Sequence, residues 1–223
     1  MKKYILIGML AVALSVGWAS AGIADATHVA ATVTNTAAYD GTTDWYTDNF
    51  DDSTKWRLRT GVADWGNDPF TAGDSSDAYG VHYLLETTLT LDPGTTYNIY
   101  VDFTSNISTT YNNWLIQGGL SPTSLTGYAK TAAEINGVSY AAADLLGASP
   151  ISTARGLFRG LLGQATADAT TGEITVYVDD GVDISTTYNR TWYAGVAYEA
   201  VPEPATLTLL GLGGLVFLRR RKG

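Results

Sequence analysis

The sequence predicts an all-β fold, a two-sheet antiparallel sandwich of the jelly-roll or Greek-key type. Two observations carry this prediction. Small, β-branched and aromatic residues dominate, and clusters of Gly, Asn and Asp separate them at short intervals, as in folds built from many short strands. In addition, no stretch between Thr27 and Glu199 sustains a helical period over three turns. The best helical candidate is 141–146, which is one or two turns at most.

About nine or ten strands are expected. The segment 95–103 is the clearest, because its apolar and polar residues alternate and a turn precedes it. The segment 121–150 is rich in Ala, Gly and Ser and is expected to be the least regular region. The main strand candidates, in chain order, are 28–34, 56–59, 79–91, 95–103, 113–117, 156–165, 173–179 and 191–199.

A turn with proline at its second position is predicted at Asp92-Pro93-Gly94, immediately before the clearest strand. Tyr97 follows it. This segment resembles the tyrosine corner of fibronectin-type and immunoglobulin-like sandwiches, in which a tyrosine early in a strand bonds back to the upstream backbone. The resemblance covers seven residues and supports a Greek-key sandwich in general.

The amino terminus has the three parts of a secretory signal peptide. Lys2 and Lys3 precede an apolar stretch over 4–16, and Ala19-Ser20-Ala21 supplies the small residues of a cleavage site. The predicted signal peptide is therefore 1–21, with cleavage before Gly22. Ala24-Asp25-Ala26 offers a second site, with the mature chain starting at Thr27. An uncleaved amino-terminal anchor is the alternative.

The carboxyl terminus, 201–223, also has three parts. Val201-Pro202-Glu203-Pro204 is an extended, accessible strip, because each proline fixes φ and removes a backbone donor. An uncharged run follows over 205–218, and the basic residues Arg219, Arg220, Arg221 and Lys222 come next. As a helix, the run measures about 21 Å, which spans the bilayer core only if the flanking residues contribute. Between the two termini, 22–200 is predicted to form one β-sandwich domain.

The order of parts in this tail resembles the PEP-CTERM sorting signal of exported bacterial proteins. The resemblance covers only 201–223. It implies recognition by exosortase, a membrane enzyme that cuts near the Pro-Glu-Pro element and releases the protein. The expected course is transient anchoring in the inner membrane, with the basic residues on the cytoplasmic side, followed by delivery to the cell surface or the extracellular space. An ordinary membrane anchor preceded by a Pro-x-Pro linker is the alternative.

The predicted domain is strongly acidic and lacks cysteine. Without the six basic residues of the two termini and Glu203, the 13 basic and 22 acidic residues of the chain become 7 and 21, a net charge of −14. Such a surface repels phosphate backbones, so nucleic-acid binding is disfavoured. The absence of cysteine excludes disulfides and thiolate chemistry.

An internal repeat relates 99–112 to 176–189, which agree at nine of 14 positions, and a tryptophan follows each copy. One interpretation is a pair of carbohydrate-binding loops, because aromatic rings stack on sugars and polar side chains bond their hydroxyls. The other is an architectural duplication with Trp114 and Trp192 in the core and Tyr111 and Tyr188 at the surface. The candidate ligand-binding residues are Tyr100, Asp102, Tyr111, Asn112, Tyr177, Asp179, Tyr188 and Asn189.

The sequence carries no catalytic signature, and we expect no enzymatic activity. The two histidines, His28 and His82, lie far apart in strand candidates without a zinc-ligand pattern. No cofactor is expected, apart from a weak calcium candidate formed by the acidic turn of Asp179, Asp180 and Asp183. Carboxylate pairs of the kind used in glycoside hydrolysis are defined by distance in space, and no pair stands out.

These observations favour an exported structural protein of the cell surface or matrix, associated with extracellular polysaccharide. A carbohydrate-binding module that uses the repeated Tyr, Trp and Asp positions is the alternative. The partners expected are an exosortase-type membrane enzyme, the inner membrane in passing, and an exopolysaccharide.

Overall fold

The structure is a computed structural model, and two β-sheets form nearly all of its described part. The described residues are 23–32, 56–58, 69–72, 84–107, 114–135, 137–149, 154–180 and 191–202. The predicted all-β class is confirmed. The narrower assignment to a jelly-roll or Greek-key type stays a prediction. The predicted signal peptide and most of the carboxyl-terminal tail lie outside the described residues.

Thirteen strands follow a single 3-10 turn, Ile23–Asp25, in the described part of the chain. The longest are β5 and β11, which pair along their whole lengths. The strands are β1 (Thr27–Ala30), β2 (Arg57–Leu58), β3 (Phe70–Ala72), β4 (Leu85–Thr90), β5 (Thr96–Asn106), β6 (Leu115–Ser121), β7 (Ser124–Ala129), β8 (Ala133–Ile135), β9 (Val138–Ala142), β10 (Asp144–Ala148), β11 (Arg155–Thr166), β12 (Glu173–Asp180) and β13 (Thr191–Ala200).

The strands divide into a first sheet of order β10-β11-β5-β13-β3-β2 and a second sheet of order β4-β12-β6-β7-β9-β8. Strand β1 adds to the first sheet by pairing with β13. All the pairs are antiparallel except β7 with β9, which run parallel. The prediction of a purely antiparallel sandwich is therefore wrong for this one pair. The short strand β8 lies between β7 and β9 in the chain and runs antiparallel to β9, so β9 can run in the same direction as β7.

The region 121–150 is more regular than the sequence predicts. It contains β7, β8, β9 and β10, and the helical turn expected at 141–146 is instead the end of β9 and the start of β10. Alanine has the highest intrinsic helix propensity, but tertiary pairing overrides such local preferences, and here β9 bonds to β7 and β10 bonds to β11.

The core lies between the two sheets and follows the alternation of their strands. In β5, Ile99, Val101 and Phe103 are fully buried, and they belong to the same core cluster as the fully buried Val176 and Val178 of β12. Because successive side chains of a strand point to opposite faces, Tyr100 and Asp102 lie on the outer face of the first sheet. The predicted division of β5 into these two faces is confirmed.

The internal repeat produces an approximate two-fold symmetry. The first copy runs from β5 in the first sheet to β6 in the second, and the other copy runs from β12 in the second sheet to β13 in the first. Strand β5 of the first copy pairs with β13, which follows the second copy, and β12 of the second copy pairs with β6, which follows the first. The two pairings have equivalent registers: Tyr100 opposes Ala197, and its counterpart Tyr177 opposes Gly119. The two copies therefore occupy equivalent positions in the two sheets.

The sandwich has two ends, which we call the tail end and the loop end. The tail end contains 23–27, 91–95, 166–173 and 200–202, and the loop end contains 105–107, 114, 148–149, 154–155 and 191–192. At the tail end, Thr95 donates a backbone hydrogen bond to Asp92 O at 3.2 Å, and Gly94 has φ of 74°. The predicted turn is confirmed, and its second central position needs the positive φ that glycine accepts.

The predicted tyrosine corner is also present at the tail end. The Asp92 amide donates to the Tyr97 hydroxyl at 3.2 Å, so the ring at the start of β5 bonds back to the upstream turn. Tyr97 is 4% exposed and meets Tyr198 edge-on, with ring centroids 5.7 Å apart. This contact ties the start of β5 to the end of β13.

Among the described residues, no helix has the length and apolar character that a membrane-crossing segment requires. The apolar run predicted to anchor the chain, 205–218, lies outside them.

Candidate functional site

Two of the candidate ligand-binding residues, Tyr100 and Asp102, lie together on the outer face of the first sheet. The amino-terminal segment, residues 23–30, covers them there. Asp102 is completely buried. Its carboxylate accepts two hydrogen bonds from Arg159, Nε to Oδ1 and Nη2 to Oδ2, each 2.7 Å. His28 Nδ1 lies 2.7 Å from Oδ2. The expectation that Asp102 faces a ligand beside an open loop does not fit this placement, because two neighbouring side chains occupy its oxygens.

Tyr100 is 5% exposed and packs with Ala26 and Ala197 under the same segment. Its hydroxyl donates to Glu199 Oε2 at 3.2 Å, and the Arg159 guanidinium lies 5.7 Å from the ring centroid. Burial raises the pKa of the Tyr100 hydroxyl, and the adjacent Glu199 carboxylate raises it further. The ring face is therefore occupied by protein, and Tyr100 is a packing residue in this arrangement.

The equivalent residues of the second copy, Tyr177 and Asp179, have different surroundings. Both are half-buried on the outer face of the second sheet. Asp179 Oδ1 accepts a hydrogen bond from the Asp180 amide at 2.9 Å. The two copies thus share strand register but differ in exposure, because the amino-terminal segment covers only the first sheet. Ligand binding by Tyr177 and Asp179 stays a prediction.

The remaining candidates of the repeat are Tyr111, Asn112, Tyr188 and Asn189, and they lie outside the described residues. Asp183 of the calcium candidate does too. Within the described ranges, no group of three or more His, Asp or Glu side chains is placed to hold a metal ion. Calcium binding by Asp179, Asp180 and Asp183 accordingly stays a prediction.

The tryptophans that follow each copy meet at the loop end. Trp114 is 7% exposed and Trp192 is 2% exposed, so the prediction that both are buried is confirmed. Their ring centroids are 4.5 Å apart at an interplanar angle of 33°. The Arg155 guanidinium lies 5.1 Å from the Trp192 ring centroid. The pair joins the starts of β6 and β13, so it locks the two sheets together where each repeat copy changes sheets.

A cleft of about 580 Å³ opens at the tail end. Its lining combines aromatic rings with three carboxylates and comes from β1, β4, β5 and β13 and the turns beside them. No sequence signal pointed to it, because its residues lie up to about 175 positions apart. The lining residues are Asp25, Thr27, Thr90, Leu91, Asp92, Tyr97, Tyr198, Glu199 and Ala200.

The root of the carboxyl-terminal tail lies beside this cleft. The Val201 amide donates to Thr96 O at 2.9 Å, which extends the pairing of β13 with β5 by one residue. Val201 is half-buried and Pro202 is exposed. Proline has no amide hydrogen to continue the ladder, so the sheet ends where the Pro-Glu-Pro strip begins.

The comparison with known families concerns this tail. Residues 200–222 match the PEP-CTERM protein-sorting motif. The chain carries a PEP-CTERM sorting signal. No curated protein and no solved structure matches the chain.

The sorting signal implies processing by exosortase, a membrane enzyme, and hence export to the surface or the extracellular space. It begins at Ala200, the last residue of β13, so no linker separates the folded domain from the motif.

Proposed function

We propose that this protein is an exported, non-catalytic structural component of the cell surface or extracellular matrix that associates with exopolysaccharide. Its β domain is the delivered part, and its tail is the label that an exosortase removes after transient anchoring in the inner membrane. One observation carries the proposal: the sorting motif starts at the residue where the sheet ends. The strongly acidic domain suits a hydrated matrix, since like charges keep such proteins soluble.

Export is tested with the full chain in a bacterium that has an exosortase. We expect the released protein to end near Pro202–Pro204, as intact mass spectrometry would show. Replacing Pro202 and Pro204 by alanine should trap the chain in the membrane fraction. Pro122→Ala is the matched control, because Pro122 is an exposed proline in the turn between β6 and β7. Released protein that still contains Arg219 would contradict the proposal.

A carbohydrate-binding module is the second candidate function. It is supported by the half-buried Tyr177 and Asp179 of the second repeat copy and by the open cleft at the tail end, where Tyr198 lies among carboxylates. Carboxylate oxygens accept hydrogen bonds from sugar hydroxyls, and aromatic rings pack on the apolar faces of sugars. These are the two chemistries that a polysaccharide site needs.

Affinity electrophoresis against the producing cell's own exopolysaccharide separates the two candidates. A carbohydrate-binding module is retarded by the polysaccharide, and Asp179→Asn weakens the retardation. Glu134→Gln is the control, because Glu134 is an exposed carboxylate on the distant strand β8. Folded protein that migrates equally with and without polysaccharide argues against the module and leaves a structural role within the polysaccharide matrix that involves no direct binding to it.

A further inference from the structure

Residues 23–26, which we call the N-terminal strap, lie across the outer face of the first sheet. Arg159 Nη1 donates to Ile23 O at 2.7 Å and to Ala26 O at 3.1 Å. Arg159 is 2% exposed and Ala26 is 7% exposed. The strap therefore supplies two of the acceptors that a buried guanidinium needs, while Asp102 supplies the others.

The first sheet fits closely against β1, the strand that directly follows the strap. Strand β1 pairs with β13, and Ala30 opposes Gly195. A Cβ atom at Gly195 would lie 2.2 Å from Val29 O, so β1 can approach this closely only because position 195 is glycine. Gly195 also has a φ of 154°, which other residues rarely adopt. From this edge, His28 reaches Asp102. The strap and β1 together close over the Asp102–Arg159 pair.

The sequence offers two sites for removal of the signal peptide, one after Ala21 and one after Ala26. Cleavage after Ala26 would remove both carbonyl acceptors of Arg159 and the buried Ala26 methyl group. Cleavage after Ala21 leaves all of them in place, with Gly22 as the first residue. The strap thus distinguishes two sites that are alike in sequence.

We propose that signal peptidase hydrolyses the Ala21–Gly22 bond and that the N-terminal strap stays in the mature protein as the cover of the buried Asp102–Arg159 pair. Water adds across this amide bond: the Ala21 carbonyl carbon takes the hydroxyl and leaves as the carboxylate of the signal peptide. The Gly22 nitrogen takes both protons of the water, one directly and one from the newly formed carboxyl group, and becomes the new terminal ammonium group. This inference concerns the amino terminus and does not depend on the proposed matrix function.

Two single substitutions in the full chain separate the sites. Ala21→Leu places a large residue before the proposed bond, so we expect it to block removal of the signal peptide. Ala24→Leu changes only the second site, and Ala24 is exposed, so processing should match that of the parent. Intact mass spectrometry of the exported parent should give Gly22 as the first residue. A parent chain that starts at Thr27 or keeps its signal peptide would overturn the proposal, and so would blocked processing in Ala24→Leu but not in Ala21→Leu.

The covering role is tested by deleting 22–26 from the full chain, which leaves Ala19-Ser20-Ala21 directly before Thr27. The exported product then lacks the strap, and we expect its urea midpoint to be lower than that of the parent. Failure to accumulate is the extreme form of the same result. The Ala24→Leu protein is the control and should keep the parental midpoint. A strapless protein that melts like the parent would overturn the covering role, and the comparison of Ala21→Leu with Ala24→Leu is independent of this result.

Discussion

The ion pair between Asp102 and Arg159 lies almost completely out of water, in a protein whose domain is otherwise strongly acidic. Taking both charges out of water costs free energy, and their bidentate geometry with the strap carbonyls offsets that cost. Such a pair contributes less to net stability than its geometry suggests. Removal of only one of the two partners, however, leaves the other charge buried without compensation.

We therefore expect Arg159→Met to lower the free energy of unfolding by roughly 3–5 kcal/mol, because Asp102 keeps its burial and loses its main partner. The double variant Asp102→Leu with Arg159→Met should be more stable than Arg159→Met alone, since it removes both charges. Urea unfolding of the parent, the single variants and the double variant gives the coupling energy. A double variant whose destabilisation equals the sum of the single effects would contradict this account.

The Tyr193 hydroxyl is completely buried between the sheets. The Thr87 hydroxyl donates to Thr32 O at 2.9 Å, so the Tyr193 hydroxyl donates to Thr87 Oγ1, 2.7 Å away. Burial raises the pKa of Tyr193 well above its ordinary value of 10.0. Burial also raises the pKa values of Tyr100 and Tyr128.

These shifts predict loss of stability in alkali. A raised pKa in the folded state means that the contribution is complete below about pH 10, the value in the unfolded chain, and is lost as the pH rises above it. In that range, each tyrosine that stays protonated in the folded state lowers the free energy of unfolding by about 1.4 kcal/mol per pH unit. Tyr193→Phe should reduce this slope without abolishing it, because Tyr100 and Tyr128 remain. Urea melts between pH 8 and pH 11 measure it, and an unchanged slope in Tyr193→Phe would contradict the assignment.

At the scale of elements, the two copies of the repeat interlock. Strand β5 of the first copy pairs with β13 of the second, and β12 of the second pairs with β6 of the first. The two strands of each copy lie in different sheets, so each sheet contains one strand from each copy. The contact between Trp114 and Trp192 lies where both copies cross between the sheets.

Trp114→Ala and Trp192→Ala are each expected to destabilise the domain by roughly 3–5 kcal/mol, the range for deletion of a large buried aromatic side chain. The two effects should not add, because the rings are in contact. Urea unfolding measures both. Tyr177→Ala is a useful comparison, since its ring is only half-buried and the loss should be smaller. Tryptophan variants that melt like the parent would show that the pair does not hold the sheets together.

At the scale of the whole molecule, both ends of the described chain meet at the tail end. Asp25 of the strap and Ala200 before the sorting motif line the same cleft. The segment 202–204 separates the sheet from the apolar run and spans at most about 11 Å. An anchored precursor is therefore held with its tail end against the membrane. Strand β5 alone extends about 36 Å away from that end.

This geometry predicts an orientation that can be measured with single cysteines, because the chain has no native cysteine. In the trapped Pro202→Ala, Pro204→Ala variant, a fluorophore at Thr170→Cys should be quenched by a lipid-attached quencher. The same fluorophore at Ala154→Cys should be quenched much less. Both positions are exposed, the first at the tail end and the second at the loop end. Equal quenching at the two positions would contradict the orientation.

The features that the sequence predicted well are those encoded by neighbouring residues. The alternation of 95–103, the turn at Asp92-Pro93-Gly94 with Tyr97, and the sorting tail each depend on short-range chemistry, and all are confirmed. The region 121–150 is more regular than the sequence predicted, and the helical turn expected at 141–146 is wrong, because pairing with β6 and β11 overrides local preferences there.

The sequence by itself determined the all-β class, the sorting signal and the existence of two related copies, since composition, motif and repeat are properties of the chain. Only the tertiary structure decided how deeply the equivalent residues of the two copies are buried. It buried Asp102 under the strap while leaving Asp179 half-buried, although both follow the same Tyr-Val pair. The physical reason is that burial depends on which distant segment packs over a strand, and the strap covers the first sheet alone.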